Sequence, residues 1–282
     1  MDSAEIEHHL EKYYHHASCV LLVGSRAEGY ATENSDVDLI VITDSPEYYG
    51  VESKCYSISA SAGIKFEILI VTQEDMNLMI IKSFESNDFY SLQKILFGEI
   101  KFGKCSFDRK KLQTDFDKRY YCKNTDQALK MYSALAGLKN NCHLQQYAFS
   151  LKKYLEKMTE IYLFCRGDRF IKTKWLISRL LRVEKNNSEL LQEFFIAINY
   201  KIENEKDMEE LESIINNVVA LMQYKALSKH AAQTDFFKHH CNIRFFTMER
   251  DGEVIVFTGG CAFRMVKVEA IKLIEDLLIA DA

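Results

Sequence analysis

Two carboxylates two positions apart, Asp36 and Asp38 in the run Ser35-Asp36-Val37-Asp38-Leu39-Ile40-Val41-Ile42, are the residues of this chain best suited to chemistry. They alternate with Val37 and Leu39 as the chain enters an apolar stretch. The segment therefore reads as a strand whose acids leave one face, about 6.6 Å apart along the backbone. Such a pair suits an in-line phosphoryl displacement in which two metal ions clamp the attacking and leaving oxygens. Hard oxygen ligands favour magnesium or manganese.

Upstream, Cys19-Val20-Leu21-Leu22-Val23 is a short apolar run bounded by glycine, the pattern of a buried strand. It runs into Gly24-Ser25-Arg26, and a helix is expected after the turn. Gly24 and Gly29 let backbone approach a ligand closely, and Ser25 offers a hydroxyl and neighbouring N–H groups suited to triphosphate oxygens. A Gly-Ser pair alone is an ordinary turn, and an isolated D-x-D is ordinarily a cap beside a solvated edge residue. The order strand, Gly-Ser turn, helix, Ser-Asp-x-Asp, strand is different, because each part meets a separate requirement of nucleotidyl transfer.

Glu67 lies within Ile64-Lys65-Phe66-Glu67-Ile68-Leu69-Ile70-Val71, an otherwise apolar strand. A carboxylate there is costly unless it pairs with metal or a cation, and the Asp pair would give it a reason to be present. It could ligate a metal or accept a proton from an attacking hydroxyl. An edge-strand glutamate alternating with Lys65 is the plain alternative.

With these residues together, the chain resembles the nucleotidyltransferase superfamily that includes kanamycin and other aminoglycoside nucleotidyltransferases, DNA polymerase β and the minimal nucleotidyltransferases. Gly24 and Ser25 match the family's Gly-Ser pair, Asp36 and Asp38 its D-x-D, and Glu67 its third strand carboxylate, which is usually aspartate. The resemblance covers about the first hundred residues. It implies an α+β fold with a mixed sheet and flanking helices, and a nucleoside triphosphate donor, with ATP expected. Two Mg²⁺ ions, or Mn²⁺, would be held by Asp36, Asp38 and Glu67. The donor would be bound by Gly24, Ser25, Arg26 and Ser35. The stretch Arg169-Phe170-Ile171-Lys172-Thr173-Lys174-Trp175-Leu176 is similar to one in the helical domains attached to several members, which adds Lys174 as a binding residue. Lys139 and Lys152 could serve the same end, although a surface position explains each as well.

The frame is ordinary. The chain has 282 residues, 48% of them hydrophobic and 27% charged, which suits two or three domains. No apolar run has the length of a membrane span, and the polar start is not that of a signal peptide, so a cytoplasmic protein is expected. A net charge of -5 disfavours a grip on long nucleic acid. Eight cysteines without C-x-x-C spacing indicate neither a zinc site nor a disulfide framework. Adjacent His239-His240-Cys241 and the helix-borne His8, His9, His15 and His16 read as solvated residues rather than ligands.

Glycine is sparse from about 106 to 225, and three or four long helices fit there. Further on, two apolar strands turn at Asp251-Gly252 as a β-hairpin, and a helix is expected from Val266. The expected organisation is a nucleotidyltransferase domain over 1–105, a helical bundle over 106–225 and a small C-terminal β-hairpin plus helix module over 226–282. The function expected is transfer of an NMP to a hydroxyl of a small aminoglycoside-like acceptor, with release of pyrophosphate. Glu67, Glu156 and Glu160 are alternative bases. A protein or peptide hydroxyl is an alternative acceptor, and a catalytically silent binding or antitoxin protein is the alternative of another class. Oligomerisation stays open.

Overall fold

The computed structural model describes residues 10, 12–50, 55–61, 64–139, 144–185, 188–227, 245–250, 253–258, 261–266, 268–269 and 271–272. The His239-His240-Cys241 cluster, His8 and His9 lie outside them. The chain divides into two compact units, Met1–Tyr120 with Arg169–Lys172, and Tyr121–Asp168 with Thr173–Ala282.

The first unit is built on a five-stranded mixed sheet in the order β3-β4-β2-β1-β5. Strand β1 is Cys19–Val23, β2 is Val37–Ile42, β3 is Cys55–Ser61, β4 is Ile64–Val71 and β5 is Glu99–Gly103. β2 runs antiparallel to β1 and parallel to β4, whereas β3 and β5 pair antiparallel at the edges. Every residue of β1 and β2 is buried. Strands covered on both faces read as continuous apolar runs, so the acid within β2 stands out. β4 instead alternates, with Phe66, Ile68 and Ile70 buried and Lys65 exposed. Burial of each such side chain contributes about 1.5–3 kcal/mol relative to exposure.

A single helical turn, α1 (Gly24–Ala27), follows β1 directly. Helix α2 (Gln73–Ser86) starts at Thr72, whose hydroxyl accepts from the Asp75 N–H at 3.0 Å, and stops at Asn87 in the left-handed region, φ 55. Helix α3 (Phe89–Phe97) is capped by Asp88, which accepts from the Ser91 N–H at 3.2 Å. Arg109 fixes its other end by donating to the Leu96 and Gly98 carbonyls at 2.7 and 2.6 Å.

Helix α4 (Arg109–Leu138) begins in the first unit and continues in the second. The second unit adds α5 (Leu144–Cys165), α6 (Leu176–Glu184), α7 (Glu189–Asn199) and α8 (Glu205–Leu227). Five helices are thus described where three or four were expected. The additional break falls after Glu184, where Lys185 has φ 56 and Ser188 recaps the chain by accepting from the Leu191 N–H. Leu151, Leu155, Leu180, Leu190, Phe194 and Leu211 are core residues of this unit. Within it the Asp168 carboxylate holds Arg179, both nearly fully buried, at 3.1 Å.

The C-terminal residues described form an antiparallel sheet in the order β6-β7-β8, from Phe245–Arg250, Glu253–Thr258 and Cys261–Val266. Arg250 pairs with Glu253, while the expected turn residues Asp251 and Gly252 lie outside the described residues. β8 is a strand the sequence reading did not supply. Cys-Ala-Phe-Arg-Met-Val is short and has no clean period, so its type is ambiguous from pattern alone. Residues 268, 269, 271 and 272 are helical.

Among the described residues, Cys19, Cys105, Cys122 and Cys165 are free thiols. Cys19 and Cys105 share a buried S–H···S contact of 3.2 Å. The hydrogen bond with Cys19 holds the Cys105 thiol below its ordinary pKa.

Candidate active site

Asp38 is the centre of the acidic cluster. It is the second residue of β2, with Val23 as its partner on β1 and Glu67 as its partner on β4. Directly paired residues on neighbouring strands project from the same face, so this register brings Asp38 and Glu67 side by side. Asp36 precedes the strand by one residue, half-buried, while Asp38 is 8% exposed.

The Gly24-Ser25 turn packs onto the same carboxylate. Gly24 has φ +74, and a Cβ built there would overlap Asp38 Oδ2 and lie 3.0 Å from its carboxyl carbon. Glycine is needed both for the left-handed backbone and for the close approach. Ser25 is buried beside it, and its carbonyl accepts from the Tyr30 N–H at 2.8 Å.

Arg26 faces the loop that delivers the acids. Its Nε donates to the Ser35 and Asp36 carbonyls at 3.2 and 3.1 Å, and its terminal nitrogen donates to Ser35 O at 2.5 Å. The Ser35 hydroxyl in turn accepts from the Thr32 N–H at 2.9 Å. In this arrangement Arg26 and Ser35 hold the loop in shape.

Two lysines answer the acids. Lys65 Nζ lies 2.5 Å from Glu67 and 3.7 Å from Asp36, and Lys94 Nζ, from α3, lies 3.1 Å from Asp38 Oδ1. The hydrogen bond that Lys65 donates to Glu67 holds its ammonium above the ordinary pKa. For Lys94, burial works against the charged form but is outweighed by the charge of Asp38, with Tyr90 contributing, and its pKa is raised. Both ammonium groups therefore stay charged at neutral pH.

The donor chemistry of the site suits a divalent oxygen-loving ion, since all three acids are carboxylates and neither thiol nor imidazole is among them. Among the described residues, however, no three His, Cys, Asp or Glu side chains converge into a ready ligand cage. The lysines take up the acids' charge instead.

The remaining predicted residues lie in the second unit. Lys174 sits in a short 3-10 turn, Thr173–Trp175, with its ammonium 5.3 Å from the centre of the Trp175 ring. Glu156 pairs with Lys153 at 2.7 Å, and Glu160 pairs with Lys157 at 2.6 Å while accepting from the Thr173 hydroxyl. Lys139 pairs with Glu212 at 3.0 Å. Lys152 donates to the Ile198 and Tyr200 carbonyls at 3.0 and 2.9 Å, closing the end of α7.

Sequence reasoning missed Lys94 and gave Lys65 no role beyond alternation. The available signal for Lys94 was its spacing four residues after Tyr90 on one helix, which puts both on one face.

A mixed sheet, a glycine turn packed on a strand-borne acid and a second acid in register with it are the features of this part of the chain that bear on its relatives. Residues 9–103 match the model of the nucleotidyltransferase domain. A solved structure of a nucleotidyltransferase-like protein from Exiguobacterium sibiricum 255-15 aligns over 90% of this chain and 99% of its own, with 10% identity and a TM-score of 0.41. No curated protein matches the chain.

Proposed function

We propose that the chain transfers a nucleoside monophosphate, with ATP the expected donor, to a hydroxyl of a small-molecule acceptor and releases pyrophosphate. The observation that supports this most directly is the register of Asp38 against Glu67, with Asp36 two residues before and Gly24 packed on the Asp38 carboxylate. Asp36, Asp38 and Glu67 are the residues that would hold Mg²⁺ or Mn²⁺, which when bound supplies charge stabilisation for phosphoryl transfer.

The chain's own part is chiefly positioning and charge. Ser25 and the backbone N–H groups of the Gly24 turn suit phosphate oxygens. Arg26 keeps the Ser35-Asp36 loop in place, and Glu67 is suited to accept the proton of the attacking hydroxyl. An aminoglycoside-like acceptor fits the acidic balance of the chain, net -5, because such acceptors are cationic.

The test is pyrophosphate release from each of the four nucleoside triphosphates with Mg²⁺ and a panel of polyhydroxylated amines, comparing wild type with Asp38→Asn. Release that needs both an acceptor and Asp38 supports the reading. The Lys65 bridge between Asp36 and Glu67 favours a second reading, a nucleotide-binding domain that transfers nothing. Nucleotide-dependent thermal stabilisation without release under any condition would select it.

A further inference from the structure

A continuous line of contacts runs away from the glycine turn within the first unit. Gly24 packs on Asp38, Asp38 pairs with Lys94 at 3.1 Å, and the Lys94 ammonium lies 5.2 Å from the centre of the Tyr90 ring. A second ammonium, from Lys172, lies 5.1 Å from the same ring. Like charges gathered at one aromatic ring repel unless something offsets them, and the ring face does so only in part. Asp38 serves Lys94. Among the described residues, no carboxylate forms a salt bridge with Lys172.

Lys172 is held there by its neighbours in sequence. Arg169 makes a two-pronged ion pair with Asp117, both arms at 2.8 Å. Phe170, fully buried, stacks on Tyr30 with ring centres 5.2 Å apart and planes 12° apart. The Tyr30 N–H donates to the Ser25 carbonyl at 2.8 Å, so the segment that presents Lys172 is anchored on the glycine turn. α3, which carries Lys94 and Tyr90, is tied to the chain just after that turn by Gln93, whose amide donates to Glu28 at 2.7 Å.

We propose that Lys94 and Lys172, gathered by Tyr90, form the phosphate-holding cation pair of the donor site and grip the polyphosphate of the incoming nucleotide. This rests on the nucleotidyl-transfer reading and adds to it the groups that receive the donor's charge. Lysine suits the task, because its ammonium is a point charge on a flexible stem that follows phosphates of varied geometry. Lys94 would exchange part of its contact with Asp38 for phosphate, leaving the Asp38 carboxylate free for other ligands. Lys172 gains an anion that no described carboxylate supplies. Lys174, two residues further on, is not part of this pair.

The experiment measures binding of inorganic tripolyphosphate and of ATP, each with Mg²⁺, to the full chain by calorimetry. Wild type is compared with Lys94→Met, Lys172→Met, Lys94→Arg and Lys174→Met. The expected result is a roughly tenfold loss of affinity for both probes in each of the first two variants, the scale of one charge-assisted hydrogen bond. Lys94→Arg should keep most of the affinity, and any loss in Lys174→Met, the binding residue the resemblance implies, should come in addition to those of Lys94→Met and Lys172→Met. Because Lys172 is remote in sequence from the acids and makes no described ion pair, its variant also separates lost binding from a disturbed Asp38. Wild-type affinity in Lys172→Met, or a loss confined to Lys174→Met, overturns the proposal while leaving nucleotidyl transfer intact. Failure of wild type to bind either probe overturns both.

Discussion

Asp38 and Glu67 face each other as direct partners across the parallel β2–β4 pair, each with a lysine ammonium within 3.1 Å. The pairing makes the two acids separable by mutation. Asp38→Asn keeps the shape of the side chain and removes its charge, so transfer should fall by about 10²–10³-fold or more. The fold should survive, since Lys94 keeps a polar neighbour and can turn towards solvent. Pyrophosphate release and the thermal midpoint, measured on the same preparation, check both halves. Undiminished release in Asp38→Asn would remove Asp38 from the reaction.

Gly24→Ala should be more damaging than a one-carbon change suggests. The added methyl meets the Asp38 carboxylate, and alanine at φ +74 carries a left-handed penalty of about 1–2 kcal/mol. Displacement of Asp38 should weaken nucleotide binding together with stability. Gly50→Ala is the control, because φ is +70 there and nothing crowds its Cβ. Similar losses of binding in both variants would show that crowding of Asp38 plays no part.

The Asp168–Arg179 pair in the second unit should matter for stability alone. Both side chains are at most 2% exposed, so Asp168→Ala would leave a buried guanidinium uncompensated. Loss of one partner of a buried pair costs about 3–5 kcal/mol, readable as a lowered urea midpoint. A change below about 1 kcal/mol would mean that water reaches Arg179.

Acid should loosen the same unit through Glu184. Burial alone would raise its pKa, but hydrogen bonds from Lys225, at 2.5 Å, and from Tyr162 outweigh it and hold the carboxyl below its ordinary value of 4.5. A depressed folded-state pKa gives stability that is fully present above the unfolded value and is lost as pH falls through the folded one. Urea midpoints measured from pH 7 down to pH 3 should therefore drop less steeply in Glu184→Gln than in wild type. Identical acid limbs would show that Glu184 contributes no such dependence.

The acids were legible in the sequence because charge inside an apolar strand is a strong local signal, and the glycine turn was legible because its spacing from them is short. β1, β2 and β4 follow from apolar runs, and the hairpin pairing follows from Asp251-Gly252. Lys94 and Lys172 were not legible. Lys94 shares a helix face with Tyr90, but its pairing with Asp38, like the contact of Lys172 with Tyr90, arises only when distant segments pack. The break after Glu184 was equally hidden, since it depends on one positive-φ lysine and a serine cap rather than on glycine or proline. β8 was missed because six residues without a clear period fit helix and strand alike.

The parallel pairing of β2 with β4 also sets when the acids meet during folding. Parallel neighbours cannot be joined by a tight turn, so Asp38 and Glu67 stay apart until the chain between them has closed a long loop. Lys65 lies two residues from Glu67 on the same strand and pairs with it in the folded chain, so its charge is at hand to soften the repulsion between the acids. The cluster should accordingly be among the late-forming parts of the sheet. A Lys65→Met variant should then collapse to a compact chain as fast as wild type and lag only in the final step to native structure.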